Sequence, residues 1–227
     1  MISTINIPSE GSAVPKVLQP GNHIVTINSV KLEVPPFNKD AVYVVLGVEG
    51  PNMGENFEGF WINKDDESLG RHKGQVATIK LSQYPYSDGT TKTGIPIKRD
   101  VELLKGLQNL CKALNCSDWL VAQNNNHDTM ESLFAQFASD KPFVGKKLYC
   151  CVAGSEYTNK QGYTNFDLYF PRTGRGAYAF EAAGSEPSHV VPFNEELHIR
   201  RKKVEAVQSF GDSSITTSSS VGDDFTL

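Results

Sequence analysis

KKLYCCVAGSEYTNKQGYTNFDLYFPR, Lys146 to Arg172, is the stretch that decides the fold. Two runs of alternating residues meet at TNKQG, the pattern of a β-hairpin with a polar, glycine-bearing turn. In the first run Leu148, Cys150 and Val152 face opposite to Lys147 and Tyr149. In the second, Phe166, Leu168 and Phe170 share one face, and Tyr163, Asn165, Asp167 and Tyr169 share the other. Side chains alternate across a strand, so the apolar set predicts the buried side of a sheet and the polar and aromatic set its outer side.

Working outward, the half of the chain before residue 100 carries the same period. HIVTINSVKLEV sets Val30, Leu32 and Val34 against Lys31 and Glu33, and AVYVVLGVE is a second β-rich run ended by Gly50 and Pro51. FEGFWIN and QVATIKLSQY are read as two further strands joined by the polar loop KDDESLGRHKG, with Ile79 and Leu81 opposite Thr78 and Lys80. The period then changes. DVELLKGLQNLCKALN places Leu103, Leu107, Leu110 and Leu114 at helical spacing, with Asp100 as N-cap and Asn115 as stop. HDTMESLFAQFAS is a second helix whose Asp128 and Glu131 have capping-box spacing, and VAQNNNH between the two helices is a polar loop. The stretch from Ala177 to Glu196, rich in Gly, Pro and Ser, reads as a loop with at most one short edge strand.

Strands, a helical insertion and a closing hairpin predict a mainly β protein. The order matches an OB-fold-like, five-stranded Greek-key barrel with helices between strands three and four, and a β-sandwich with a helical excursion is the structural alternative. The organisation expected is an extended arm over 1–21, a domain over 22–203 with its helical insertion at 99–140, and an acidic tail over 204–227 expected to be disordered. The tail argument is one of charge. The chain has 22 Lys and Arg against 26 Asp and Glu. Residues 204–227 hold four of those acids, Glu205, Asp212, Asp223 and Asp224, and no base, so the body is neutral. The low hydrophobicity of SSITTSSSVGDDFTL gives it no means of offsetting the entropy of ordering.

No catalytic signature is present: the sequence has no phosphate-binding GxxxxGK[ST], no GxSxG and no HExxH. Asp65, Asp66 and Glu67 read as a solvated turn. Cys111, Cys116, Cys150 and Cys151 form no CxxC spacing and read as small buried hydrophobes. The expectation is a protein without enzymatic activity, metal or cofactor. No apolar run approaches the length of a membrane span, and the N-terminus lacks the features of a signal peptide, so a cytoplasmic protein with no membrane partner is expected.

Aromatics interleaved with bases are the positive signal. Trp61 stands beside Lys64, Arg71 and Lys73 follow, and Lys80, Tyr84, Tyr86 and Lys92 come next. Lys147 and Tyr149 open the hairpin, Tyr157, Lys160 and Tyr163 surround its tip, and Arg172 follows it. Exposed aromatic rings stack on any base while Lys and Arg track phosphates, which is what binding to a single strand without sequence preference asks for. Each of these aromatics is equally compatible with a half-buried strand position.

Together with the tail's GDDF, Gly222 to Phe225, this architecture resembles the single-stranded DNA-binding proteins of bacteria and above all of bacteriophages. The resemblance implies an OB-fold that coats and protects single-stranded DNA during phage replication and recombination, in the host cytoplasm. It also implies a C-terminal tail that recruits replication, repair and recombination proteins through Asp223, Asp224, Phe225 and Leu227. One departure is that Thr226 and Leu227 follow the aromatic. A single-strand annealing protein and a virion or assembly protein with a structural β-domain are the alternatives, and the oligomeric state is left open.

Overall fold

The computed structural model describes residues 16–60, 70–185 and 188–201. Its architecture is mainly β, with seven strands in one mixed sheet and a two-stranded ribbon. The strands are β1 (Gly21–Glu33), β2 (Tyr43–Glu49), β3 (Val76–Lys80), the ribbon β4 (Gly89–Thr90) and β5 (Pro96–Ile97), β6 (Lys147–Thr158), β7 (Thr164–Tyr169), β8 (Phe180–Ala182) and β9 (Ile199–Arg200). Helices α1 (Arg99–Ala113), α2 (Ser117–Ala122) and α3 (Met130–Asp140) lie between β5 and β6, and α4 (Glu195–His198) precedes β9.

Pairing runs from β1 to β2, β3, β7 and β6, and β6 pairs again with β1. All these contacts are antiparallel except β3 with β7, where Ile79 meets Leu168 and Lys80 meets Tyr169 in parallel. One long strand serves two partners because it bends. In β1 residues 21–26 pair with β6 and residues 26–33 with β2, and the register slips between Ile27 and Ser29. This β-bulge shifts the inward phase from Val25 and Ile27 to Val30, which turns the strand from one neighbour to the other.

The core lies inside this arrangement. Val25, Ile27, Val44, Leu46, Val48 and Ile79 are buried in one cluster with Leu148, Cys150, Val152 and Leu168. Leu103, Leu107 and Leu110 of α1 and Leu133, Phe134 and Phe137 of α3 join the same cluster, so both helices bury their apolar stripe against it. Each such side chain contributes about 1.5–3 kcal/mol by leaving water. Gly154 of β6 is required by close packing, since a Cβ there would lie 2.8 Å from Pro20 and 3.0 Å from Phe166. The hairpin turn is held by Asn159, whose side-chain oxygen accepts from the Gln161 and Tyr163 amides at 3.0 and 2.9 Å, and Gly162 supplies the positive φ of 86°.

Several expectations are corrected. FEGFWIN is not a strand over residues 57–60: Phe57 and Phe60 pack edge to face at 4.6 Å, and among the described residues the segment is fastened to the stretch before β3 by Phe60 N to His72 O and Lys73 Nζ to Phe57 O. Residues 61–63 lie outside the described residues. Helix α1 starts one residue before Asp100, with Lys98 at the N-cap, and Asp100 instead bonds Arg99. Helix α3 is capped by Thr129, which accepts from the Ser132 amide, rather than by an Asp128–Glu131 box. Val121 and Ala122 belong to the six-residue helix α2, not to a loop. Leu18, read as part of the arm, is buried in the core. No helix among the described residues is long and apolar enough to cross a membrane.

Candidate nucleic-acid interface

The outer face of β2, β3, β7 and the second half of β6 is where basic and aromatic side chains meet. Alternation sends Tyr43, Thr78, Lys80, Ser155, Tyr157 and Asp167 outward, with Val45 and Tyr169 on the same side but buried there, while Val44, Leu46, Ile79 and Leu168 fill the core. A groove of about 590 Å³ crosses this face, and Val17, Glu33, Val45, Thr78, Lys80, Tyr157 and Asp167 are among its lining residues. At its centre the Lys80 ammonium lies 4.5 Å from the centroid of the Tyr43 ring and 2.6 Å from Asp167 Oδ2.

Beside Lys80 the surface continues as a network. Lys80 pairs with Tyr169, whose hydroxyl lies 3.2 Å from the Gln83 amide. In the orientation its neighbours require, the Gln83 oxygen also accepts from Arg200 Nη1 at 2.7 Å and Nε at 2.8 Å. Arg200 Nη2 donates to the Tyr84 hydroxyl at 3.1 Å, and the guanidiniums of Arg172 and Arg200 lie 5.3 and 5.8 Å from the centroid of the Tyr84 ring. Arg200 is delivered by β9, which pairs in parallel with Gly154 and Ser155 of β6. Burial pushes the Tyr169 phenol above its ordinary pKa, with the neighbouring Asp167 charge in the same direction.

The sequence-derived candidates divide on this surface. Lys80 and Tyr157 line the groove, whereas Tyr84 and Arg172 do not line it and are joined to Lys80 only through the Tyr169, Gln83 and Arg200 network. Lys160 and Tyr163 project from the hairpin tip that continues β6 beyond Tyr157, and Tyr163 is 68% exposed. Tyr86 faces the other way. It packs half-buried against the core, its backbone bonds both ways with Val42, and burial, reinforced by Glu102, pushes its phenol up to about 12. Tyr149 and Lys147 lie on the half of β6 that pairs with β1 and β8, where Tyr149 sits between Ile24 and Glu181. Tyr149 and Tyr157 stand eight residue steps apart along the strand, about 26 Å. Arg71 and Lys73 are on the segment leading into β3, with Lys73 Nζ bonded to Phe57 O, and Lys92 is at the tip of the β4–β5 ribbon; none of the three lines the groove. Trp61, Lys64, Asp223, Asp224, Phe225 and Leu227 lie outside the described residues.

Two contributors escaped sequence reasoning. Tyr43 had a signal, since it alternates with Val44, Leu46 and Val48 and so faces away from the core. Arg200 had none, because its contact with Tyr84 spans 116 residues of chain. The four cysteines are buried thiols, with burial pushing Cys150 to about 12 and Cys151 to about 11. No group of three or more His, Cys, Asp or Glu side chains arranged to hold a metal occurs among the described residues. Comparison with known proteins finds no matching family model, no matching curated protein and no matching solved structure.

Proposed function

We propose that this chain is a nucleic-acid-binding protein of the OB class. The support for the class is the circuit of pairings from β1 through β2, β3, β7 and β6 back to β1, with three helices ahead of β6, the fourth of these strands in chain order. Proteins of that class bind oligonucleotides on the face of their second and third strands and on the loops after the first and fourth. Here those are β2 and β3, the loop over 34–42 with Phe37 73% exposed, and the Asn159–Tyr163 hairpin tip.

Within the class, the reading that fits best is a phage-type protein that coats single-stranded DNA without strong sequence preference and performs no catalysis. The observation that carries it is a pair of cation–aromatic contacts, Lys80 over Tyr43 beside a groove that Tyr157 also lines, and Arg172 and Arg200 over Tyr84, although Glu33, Glu156 and Asp167 stand in the same groove. Rings serve any base and cations any phosphate, so the surface has no need of sequence. The test is an anisotropy titration of labelled oligothymidine: saturable binding that weakens linearly in log K against log salt is expected. Absence of binding at low salt would leave a structural β-domain as the better reading.

The acidic tail is proposed to recruit replication and recombination proteins. Its sequence supports this: four acids, no base and the terminal GDDFTL on a Ser/Thr-rich stretch. Phe225→Ala deletes an apolar anchor and leaves every charge in place. Capture of such proteins from host extract is expected to fail with this variant, and equal capture by both forms would reject the role.

A further inference from the structure

We infer that the bound single strand does not end at Tyr84 but continues past Arg172 into a second cleft, between the C-terminal end of α1 and the β7–β8 connection, toward Lys147. This rests on the proposed groove and extends it to a site for unstacked bases.

The cleft has a volume of about 580 Å³ and begins where the first surface stops, because Arg172 both lies over the Tyr84 ring and lines it. Its floor is apolar, formed by Leu81, Phe170 and Phe180, the last two in ring contact at 4.7 Å. Tyr178, 51% exposed, lines it as well. Above the floor stand Asn109, Lys112 and Asn115, whose side chains make no hydrogen bond within the described residues. The cleft then shares Ala113, Asn115 and Ala182 with a hollow of about 340 Å³ lined by Lys146 and Lys147.

This make-up is that of a heterocycle site on an anionic backbone. An apolar aromatic floor accepts a base face, and amide side chains without partners accept and donate at a base edge. The charge is of the required sign. Arg172, Lys112 and Lys147 are paired with no acid among the described residues, and Lys146 caps the Asn115 carbonyl at 2.7 Å. The one acid lining the cleft, Glu181, is held by His189, whose amide lies 3.3 Å from each carboxylate oxygen. The end of α1 adds negative potential from its last carbonyls, which Lys112 and Lys146 offset. The path also accounts for Lys147, which carries a base yet lies away from the β2–β3 groove; Tyr149 lines neither hollow.

The experiment is a length series. Labelled oligothymidines of about 6 and about 16 nucleotides, within the range one such barrel covers, are titrated against the full chain and three variants. Tyr84→Ala is expected to weaken both lengths. Lys112→Glu and Asn109→Trp are expected to weaken the longer strand by roughly tenfold at low salt and the shorter by several-fold less. Equal effects on the two lengths, or none, would overturn the cleft and leave the groove standing. Failure of the intact chain to bind either length would overturn both. Should either variant lose its native melting transition, Lys112→Ala replaces it: the salt slope for the longer strand is expected to fall by about 0.7, and an unchanged slope rejects the path.

Discussion

The Lys80 ammonium lies 2.6 Å from the Asp167 carboxylate at the centre of the exposed face, and only 21% of the lysine side chain is open to solvent. On the proposed interface Lys80 is therefore a guarded cation, and a phosphate that reaches it displaces Asp167. Asp167→Asn is expected to tighten single-strand binding at low salt and to raise the salt slope by about 0.7, while Lys80→Ala does the reverse. Anisotropy titrations over a salt series read both. Weaker binding by Asp167→Asn would mean that the acid positions Lys80 rather than competing for it.

Tyr84 and Tyr86 stand two residues apart and face different worlds. Tyr84→Ala is expected to cost roughly 1–3 kcal/mol of oligonucleotide affinity with little change in Tm. Tyr86→Ala removes a ring packed on the core and is expected to destabilise the fold by on the order of 3 kcal/mol while leaving affinity near that of the intact chain below its Tm. Thermal melts paired with titrations separate the two, and the reverse assignment of effects would show that the faces are misread.

Glu49 ties β2 to the segment before β3. Its carboxylate lies 2.9 Å from His72 Nδ1 and accepts from the Gly74 amide at 2.9 Å. Burial pushes its pKa up, but those hydrogen bonds together with the His72 charge and Asn28 prevail and hold it below the ordinary 4.5. A group with a depressed folded-state pKa contributes stability above its unfolded pKa, and that contribution is lost as the pH falls through the folded value. Denaturant midpoints should therefore drop below pH 4.5 by more in the intact chain than in Glu49→Gln. Parallel acid profiles would remove Glu49 from the account.

The core was readable because its periods were clean. Leu103, Leu107 and Leu110 kept helical spacing and are buried, and Leu168 and Phe170 kept the strand period with Phe166 partly buried beside them, but Tyr169, expected on the outer face, is buried as well. What was hidden had no local period. Helix α2 is six residues long, too short for Trp119 and Leu120, which pack on the core, to show a helical period, and the strand suggested by Phe57 and Phe60 reflected two rings that pack on each other. The site divided in the same way. Lys80 followed from alternation and Tyr157 from its place near the hairpin tip, whereas Tyr86 looked like Tyr84 in sequence and is turned inward by its backbone bonds to Val42. Arg200 reached the face only through β9, a pairing that no neighbouring residue announces.

The central claim is that single-stranded DNA lies on the outer face of β2, β3 and β7. Photo-crosslinking of iodouridine-substituted oligothymidine to the full chain, with the attached peptides identified by mass spectrometry, tests it most directly. The account predicts crosslinks at Tyr43, Tyr84 and Tyr157, weakened by salt. Crosslinks confined to α2 and α3, or none at low salt, would contradict it.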